Sequence, residues 1–327
     1  MAFHFRFTSL VQLFLINIIL LNLATGCNGS STAEENQVTT LTFVGDLLLD
    51  RGVRERIEHL GIDSLWGSEI DSVFRSSKFV CANLECPATK IQAPINKRFI
   101  FRAEPEYLVF LKTHGITHLN LANNHSMDQG RDGLTDTYIN IQTTCMIPVG
   151  YGNNAQEACH EQLLTIEPRH IYLISSVLVG SENWPYLEDR PCVCEAGLAQ
   201  ISEQVRLLRK EQPNAFIILQ LHWGLEHTLK PNPQQIQQAH EAIDAGADCI
   251  IGHHTHTVQT TEIYHGKPIF YSIGNFVFDQ TKPINTHGLM VKLHISKQSL
   301  TFDTIPIQIE QSRPRIIPSP HKPTPEK

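Results

Sequence analysis

Residues 41–51, LTFVGDLLLDR, join a short apolar run to a glycine and an aspartate. The run has the length and composition of a buried β-strand, and Asp46 follows directly after it. In α/β proteins, ligand-binding side chains collect beyond the carboxyl ends of the strands. This stretch therefore predicts an α/β fold in which Asp46 lies at the ligand-binding edge of a sheet.

Five further polar clusters follow apolar runs in the same way. They are Asn83-Leu84-Glu85 after FVCA, Asn123-Asn124-His125 after LNLA, His222-Trp223-Gly224 after FIILQL, residues 252–256 (GHHTH) after DCII, and Gly274-Asn275-Phe276 after IFYSI. Amphipathic stretches separate most of the runs, which predicts βαβ units with helices packed outside the sheet. After Val258 the predicted strands follow one another without helices, so antiparallel pairing is expected there.

The first five clusters contain the donors that a site for two divalent cations needs. Such a site takes a bridging carboxylate, further oxygen donors and neutral imidazoles. Histidines two positions apart in a loop, such as His254 and His256, can reach neighbouring ions. A bound cation makes hydroxide available as a nucleophile near neutral pH. A histidine held by a carboxylate can protonate a leaving group, and His125 with Asp128 fits that role.

Each cluster also has a simpler interpretation when it is taken alone. A Gly-Asp pair after a strand is usually a turn, Asn-Asn-His can cap a helix, and His222 can be an ordinary core histidine. Three histidines within residues 253–256 are the strongest local signal, because they rarely serve packing. The metal hypothesis depends on all five clusters occurring at strand ends of one chain.

Charge and composition narrow the class of protein. The chain of 327 residues has a net charge of −7 and no basic block, so nucleic acid is not expected as a partner. Seventeen histidines are many for this length and point toward metal. Of the eight cysteines, seven follow Cys27, and this odd number predicts at least one unpaired thiol in an exported protein. Buried thiols are the default interpretation, with a loop disulfide as the alternative.

The N-terminus has the features of an export signal. Residues 10–23, LVQLFLINIILLNL, are almost wholly apolar, but the run is shorter than the about 20 residues of a spanning helix. The sequence Ala-Thr-Gly-Cys that ends at Cys27 resembles a bacterial lipoprotein box; an ordinary cleaved signal and an uncleaved anchor are the alternatives. Residues 1–27 are thus predicted to be the signal, 28–40 a flexible tether and 312–327 a disordered tail.

The order of the motifs is specific. Asp46, Glu85, Asn124-His125, His222-Trp223-Gly224 and His254-Thr255-His256 follow one another as in the CapA-type poly-γ-glutamate capsule synthesis proteins, and the chain resembles this family from Leu41 to Gln280. These proteins resemble calcineurin-like metallophosphoesterases. The resemblance implies a metallophosphoesterase-like four-layer α/β/β/α sandwich with two mixed sheets, in residues 41–311.

The resemblance also implies roles for the matching residues. The expected metal ligands are Asp46, Glu85, Asn124, His222, His254 and His256. The expected catalytic residues are His125, as the general acid, and Asp128, which would orient it. Glu85 would bridge two ions, and His253 is expected to point away from them. The residues expected to bind the substrate are Arg51, Arg102, Asn123 and Trp223.

Two positions depart from the wider phosphoesterase pattern. The usual Asp-x-His reads Asp46-Leu47-Leu48 here, so its histidine is absent, and the usual bridging aspartate is Glu85. The first metal site is therefore expected to be poor in ligands. His227 stands where the family often has an aromatic residue, and its role is open.

The expected function is that of a metal-dependent hydrolase or transferase acting on a cell-envelope polymer or a small anionic substrate. One or two divalent ions, Mn²⁺, Fe²⁺ or Zn²⁺, would be its cofactors. The alternative is a non-catalytic, metal-binding assembly or export factor of a polymer synthesis complex. Either protein would be periplasmic or otherwise extracytoplasmic, held at the membrane by a lipid anchor or an uncleaved signal, near membrane-bound synthesis subunits.

Overall fold

The computed structural model describes residues 37–180 and 185–318, which form strands and helices in alternation. The strands are β1 (Thr39–Leu47), β2 (Phe79–Leu84), β3 (His118–Asn120), β4 (Ile147–Val149), β5 (Tyr151–Gly152), β6 (Gln162–Thr165), β7 (Ile171–Val177), β8 (Cys192–Val193), β9 (Phe216–His222), β10 (Cys249–His253), β11 (Thr261–Tyr264), β12 (Lys267–Phe270), β13 (Asn275–Val277), β14 (His287–Ile295), β15 (Leu300–Glu310) and β16 (Arg313–Ile316). The helices are α1 (Gly52–Leu60), α2 (Ser68–Arg75), α3 (Tyr107–Thr113), α4 (Gly130–Thr143), α5 (Ala155–Ala158), α6 (Leu198–Glu211) and α7 (Pro233–Asp244).

Two mixed sheets organise the domain. The first has the order β16-β15-β14-β1-β2-β3-β4, with β13 also paired to β1. In this sheet β1 runs parallel to β2 and β13 but antiparallel to β14. The second has the order β11-β12-β10-β9-β7-β6, parallel in its centre and antiparallel at both edges. The antiparallel pairing of β14, β15 and β16 confirms what the sequence after Val258 predicted.

Three hydrophobic clusters show that the sheets lie face to face between helices. One cluster combines Leu41 and Phe43 of the first sheet with Ile218 and Ile251 of the second. A second cluster packs α1 to α4 on the outer side of the first sheet, and a third packs α6 and α7 on the second. The fold is therefore the four-layer α/β/β/α sandwich that was expected.

The strand register places the predicted site residues at one end of both sheets. Asp46 pairs with Asn83 across the parallel strands β1 and β2, and with Asn275 across β1 and β13. In the second sheet His253 pairs with His222 across β10 and β9. These residues stand in the last three positions of their strands or, for Asn275, at the start of one, so side chains from both sheets meet there.

Helix α1 and strand β16 are among the elements that the sequence-based expectation did not include. Helix α1 was not predicted, because Val53 and Ile57 are its only buried side chains and give a weak periodic signal. Strand β16 lies within the tail predicted to be disordered and pairs with β15 at the edge of the sheet. Pro314 is compatible with that position, since an edge strand can lose a backbone donor. The predicted signal at residues 1–27 lies outside the described residues, as do most of the tether and residues 319–327.

The helices of residues 37–180 and 185–318 do not combine the length and apolar character that crossing a membrane requires.

Candidate metal centre

Asp46 is the fully buried carboxylate at the end of β1. Its Oδ1 accepts a hydrogen bond of 2.8 Å from Asn83 Nδ2 and lies 3.2 Å from His253 Nδ1. Its Oδ2 lies 3.2 Å from His256 Nδ1. Burial alone would raise the pKa of Asp46, but the contacts with His253 and His256 hold it well below the usual value. Asp46 is thus ionised and fixed in orientation by its neighbours.

Glycine at position 45 lets the backbone before Asp46 approach β13. A Cβ atom at Gly45 would lie 1.9 Å from the carbonyl oxygen of Gly274, closer than any side chain tolerates. The Asp46 amide donates to that same carbonyl at 3.0 Å. The Gly-Asp pair is therefore part of a tight strand contact that positions the carboxylate, and not a surface turn.

Glu85, directly after β2, is fully buried and faces two histidines. Its Oε1 lies 3.7 Å from His256 Nε2 and 4.0 Å from His222 Nε2. Neither carboxylate oxygen takes part in a hydrogen bond with any residue that the structure describes. Burial and the charge of Asp46 raise the pKa of Glu85 well above its usual value. A buried carboxylate without a donor is costly, and a cation beside it would remove that cost.

A second group of donors surrounds the end of β9. His222 Nε2 lies 2.9 Å from Asn124 Oδ1 and 3.2 Å from His254 Nδ1. Burial lowers the pKa of His222 well below its usual value, and it lowers that of His254 to about 4. Both rings are therefore neutral, as metal ligands must be. Ligand bonds of about 2.1 Å place neighbouring ligand atoms about 3 to 3.5 Å apart, close to the spacing seen here.

His256 belongs to the first group of donors, with Asp46 and Glu85. Its Nδ1 lies 2.9 Å from Asn275 Oδ1, which leaves Nε2 facing Glu85. Burial favours the neutral ring, but the charge of Glu85 and the contact with Asp46 outweigh it and raise the pKa of His256 to about 9. His254 and His256 both have positive φ, of 88° and 57°. This conformation is uncommon for residues other than glycine; here the His254 ring lies against His222, and the His256 ring lies against Asp46 and Glu85.

The donor set fits a divalent metal ion. Asp46, Glu85 and His256 offer ligand atoms that all lie within 4.8 Å of one another. Carboxylates, an amide oxygen and neutral imidazoles are suitable ligands for Mn²⁺, Fe²⁺ and Zn²⁺. The structure thus brings together all six residues predicted to bind metal. Both oxygens of Glu85 lack a hydrogen-bond donor in the described part of the chain, and this observation favours a cation here more than any other.

His125 lies beside this cluster, held by Asp128 as the sequence suggested. Its Nδ1 lies 2.8 Å from Asp128 Oδ2, and its ring stacks on Phe101 with centroids 4.2 Å apart. Burial lowers the pKa of His125 although Asp128 opposes the shift. The hydrogen bond at Nδ1 fixes the tautomer, so Nε2 is the ring nitrogen left for a substrate.

Lys97 is a site residue that sequence reasoning missed. Its side chain is 2% exposed, and its Nζ lies 2.7 Å from Asp128 Oδ1 and donates to the Asn124 carbonyl at 2.8 Å. It therefore contacts both the partner of His125 and the backbone of a predicted metal ligand. The residue stands in an irregular loop between Thr89 and Phe101, where no pattern distinguishes a buried lysine from an exposed one.

Arg51 lies at the edge of the cluster. Its guanidinium carbon is 5.1 Å from the ring centre of Phe101 and 5.9 Å from that of Phe278, and Asp279 forms an ion pair with it. Phe101 stacks on His125, and Phe278 lies 4.7 Å from the His256 ring. This partly exposed arginine therefore lies beside the two aromatic rings that contact His125 and His256.

Of the other residues expected to bind the substrate, two are buried and the third, Arg102, is held by hydrogen bonds. Trp223 is 1% exposed and donates through Nε1 to the Tyr271 carbonyl, so it belongs to the core. Asn123 is buried and accepts a hydrogen bond from the His125 amide, so it positions that histidine. Arg102 pairs with Glu104 at 2.6 Å and donates to the Thr89 carbonyl. Sequence position alone could not separate such structural partners from residues that face a substrate.

The expectation for His253 is also wrong. The ring is fully buried, with Nε2 2.9 Å from the Gln220 amide nitrogen and Nδ1 3.2 Å from Asp46 Oδ1. Strand β10 continues through His253, and side chains of a strand point alternately to its two faces. The His253 side chain lies on the face that meets Asp46. His227 lies further out, with its ring 6.2 Å from that of His256 and Glu226 beside it.

A disulfide joins Cys159 and Cys194. It corresponds to the loop disulfide that the number of cysteines allows as an alternative to buried thiols. It connects the end of α5 to the segment after β8. Four of the other cysteines in the described residues are buried thiols, Cys81, Cys86, Cys192 and Cys249, and Cys145 is exposed.

Fold and site together define a four-layer α/β protein, in which strands of two facing mixed sheets bring carboxylate, amide and imidazole donors to one end. The family model described as "Bacterial capsule synthesis protein PGA_cap" matches residues 40–280. The chain belongs to this family of capsule synthesis proteins.

Similarity to curated proteins agrees with the family match. The chain is 31% identical over 283 residues to the PGA biosynthesis protein CapA of Bacillus subtilis, covering 85% of this chain and 74% of that protein. It is 30% identical over 298 residues to the capsule biosynthesis protein CapA of Bacillus anthracis, covering 87% and 71%. It is 28% identical over 284 residues to a probable polyglutamine synthesis accessory protein of Mycobacterium tuberculosis, covering 74% and 75%.

Solved structures with related architecture are distant in sequence. The NAD nucleotidase of Haemophilus influenzae superposes with a TM-score of 0.49 and 10% identity, covering 86% of this chain and 60% of that one. The sulfate thiohydrolase SoxB of Thermus thermophilus superposes with a TM-score of 0.47 and 13% identity, covering 72% and 42%.

Proposed function

We propose that this capsule synthesis family member is an exported, metal-dependent hydrolase or transferase that acts on a cell-envelope polymer. The observation that carries the proposal is Glu85, a fully buried carboxylate without a hydrogen-bond donor among the described residues, placed between His222 and His256. Such an arrangement is stable when a cation occupies the space between these side chains.

The residues divide the chemistry between them. Asp46, Glu85 and His256 would hold one ion, and Asn124, His222 and His254 a second with Glu85 shared. When bound, a divalent ion supplies Lewis acidity and makes a water nucleophile available near neutral pH. His125 would carry at Nε2 the proton that passes to the leaving-group oxygen, while Asp128 stabilises the charged ring.

The substrate is proposed to be anionic. The B. subtilis relative is named for PGA biosynthesis, and the motifs of the chain resemble poly-γ-glutamate capsule proteins. An acidic polymer needs cations at the site, and Arg51 together with the bound ions would supply them. With its net charge of −7, the whole molecule does not attract such a polymer, so attraction has to be local.

Export is part of the proposal. The apolar run at residues 10–23 and the following Ala-Thr-Gly-Cys support a signal with Cys27 as the lipidated residue. The Cys159–Cys194 disulfide supports an oxidising compartment, where such bonds persist. In this location the protein would work beside membrane-bound subunits of polymer synthesis.

A specific observation favours a second candidate, a metal-binding assembly factor without turnover. Asp46-Leu47-Leu48 lacks the histidine of the phosphoesterase pattern, so the first ion has few ligands. The M. tuberculosis relative is named a probable accessory protein. A factor of this kind would keep the ions as a structural or docking element.

Hydrolysis of a generic phosphodiester separates the two candidates. The purified protein would be assayed with bis(p-nitrophenyl) phosphate and added Mn²⁺, beside Glu85→Gln and the control Glu226→Gln, whose side chain is 45% exposed. A hydrolase shows turnover that Glu85→Gln abolishes and Glu226→Gln keeps. Metal-loaded protein without turnover on this and a panel of polymer substrates would support the assembly factor instead.

A further inference from the structure

A cleft lies at the end of the second sheet opposite the metal centre. It has a volume of about 490 Å³ and is formed by the segment before β7, the loop between α6 and β9, and the turn between β14 and β15. Its polar lining residues are Arg169, His170, Gln212, Asn214, Lys297 and Gln298. An adjoining cavity of about 460 Å³ shares Arg169 and Gln298 with it. The seven residues of β9 separate the cleft from His222 by about 20 Å.

Arg169 is a half-buried cation without a carboxylate partner in the part of the chain that the structure describes. Its Nε is buried and donates no hydrogen bond, and its guanidinium carbon lies 5.2 Å from the ring centre of Phe216. A long contact of 3.5 Å joins Nη1 to the Lys297 carbonyl. Burial lowers the pKa of Arg169, and the nearby charge of Arg209 adds to this effect while Asp248 opposes it. A guanidinium in this environment lacks a counter-ion.

The acidic residue whose charge acts on Arg169 is already paired with other cations. Asp248, in the adjoining cavity, accepts from Arg209 Nη2 at 2.6 Å and from the Ile217 amide at 3.0 Å through Oδ2. Its Oδ1 accepts from Lys267 Nζ at 2.5 Å. No carboxylate lines the first cavity within the described residues, so Arg169 and Lys297 are not neutralised there. This local positive charge contrasts with the net charge of −7 of the whole chain.

We propose that this cleft, defined by Arg169, Lys297 and the side-chain amides of Gln212, Asn214 and Gln298, binds an oxyanion. The planar guanidinium presents paired N–H donors that match a carboxylate or phosphate group. The ammonium of Lys297 adds charge, and the three amides offer further donors. At about 20 Å from the metal centre, the bound group is either a separate ligand or a distant unit of a long acidic chain.

Calorimetric titration of the metal-loaded protein tests the cleft directly. Two probes are used, inorganic phosphate and a linear triglutamate peptide, and the number of equivalents bound is compared between wild type and Arg169→Gln. Both proteins keep the metal centre, so an anion bound there contributes equally to both titrations. The difference in binding between wild type and Arg169→Gln therefore measures binding in the cleft. The expected result is one equivalent fewer in Arg169→Gln, or affinity at least tenfold weaker, for at least one probe.

Further variants control for folding and for general charge. Lys297→Gln is expected to weaken the same event, and Arg169→Lys to retain part of it because the charge is kept. Lys210→Gln removes one positive charge from an exposed position of α6 outside the cleft and should bind as wild type does. Equal stoichiometry and affinity in wild type and Arg169→Gln, or an equal loss in Lys210→Gln, would overturn the proposal. Binding of phosphate alone or of the peptide alone would identify the oxyanion.

Discussion

At the residue scale, Glu85 combines complete burial with two carboxylate oxygens that no donor in the described residues satisfies. Because burial and the charge of Asp46 raise the pKa of Glu85, the native metal-free protein binds a proton at this group more tightly than the unfolded chain does. By linkage, this group lowers the stability of the metal-free protein as pH rises toward 7. A bound cation reverses that effect, because it stabilises the ionised form.

Replacing Glu85 by glutamine should therefore separate folding from metal binding. Without metal, Glu85→Gln is expected to unfold at the same temperature as wild type or at a higher one. With Mn²⁺ at 100 times its Kd, wild type should gain about 2.7 kcal/mol, and the variant should lose this gain. Thermal unfolding with and without Mn²⁺ measures both, with Glu226→Gln as the control that keeps the gain. A metal-free Glu85→Gln protein that melts far below wild type would contradict the assignment.

Asn124 and His125 are neighbours with different expected roles. Asn124→Ala removes an oxygen that lies 2.9 Å from His222 Nε2, so it should weaken metal binding. His125→Ala should keep the metal and slow turnover by about 10²–10⁴-fold. Metal content and turnover of the two variants, measured side by side, test this division. Equal metal loss in both would mean that His125 is itself a ligand.

At the scale of elements, the loop between Thr89 and Phe101 is tied to the site by Lys97. The ion pair with Asp128 is buried on both sides, with side chains 2% and 0% exposed. Removing one partner of such a pair leaves the other charge uncompensated. The loop and the turn that carries Asn124 and His125 therefore depend on each other.

Lys97→Met is expected to lower the free energy of unfolding by about 3–5 kcal/mol, the range for one missing partner of a buried pair. The double variant Lys97→Met with Asp128→Asn should recover part of this loss. Urea unfolding of the single and double variants measures the coupling, and Lys90→Met, whose side chain is 61% exposed, is the control. A Lys97→Met loss no larger than that of the control would show that the pair contributes little.

The strand-end residues were predictable because a short apolar run followed by a polar cluster has a physical meaning in a parallel sheet. Asp46, Glu85 and His222 could be placed in this way from the order of residues along the chain. Lys97 could not, since nothing local distinguishes a buried lysine in an irregular loop. The burial of Trp223 and the direction of His253 depend on tertiary packing and on where β10 ends, which local patterns do not determine.

At the scale of the whole molecule, the site joins the two sheets. Asp46 lies in β1 and Glu85 directly follows β2 in the first sheet, whereas His222 ends β9 and His254 follows β10 in the second. Ions bound between them would link the two halves of the sandwich, so metal removal should loosen the inter-sheet edge as well as stop any chemistry. The resemblance to capsule proteins from Leu41 to Gln280 implied this architecture, and strand β16 shows that the ordered domain extends beyond residue 311.

The oxidation state of the cysteines depends on the compartment in which the protein folds. If the protein matures outside the cytoplasm, Cys159 and Cys194 should be found as one cross-linked peptide pair in non-reduced digests of protein from the native host. The other described cysteines should be recovered as thiols. A Cys27→Ser variant released from the membrane fraction would add evidence for lipidation. Fully reduced Cys159 and Cys194 in freshly prepared protein would contradict an oxidising location.

The metal content of the purified, tag-free protein is the most direct measurement of the central claim, that Glu85 and its neighbours form a divalent metal centre. Inductively coupled plasma mass spectrometry should find one or two equivalents of Mn, Fe or Zn in wild type and in Glu226→Gln. It should find a clear loss in Glu85→Gln. Wild-type protein that takes up no divalent ion even when these metals are supplied, or equal metal content in wild type and Glu85→Gln, would contradict the claim.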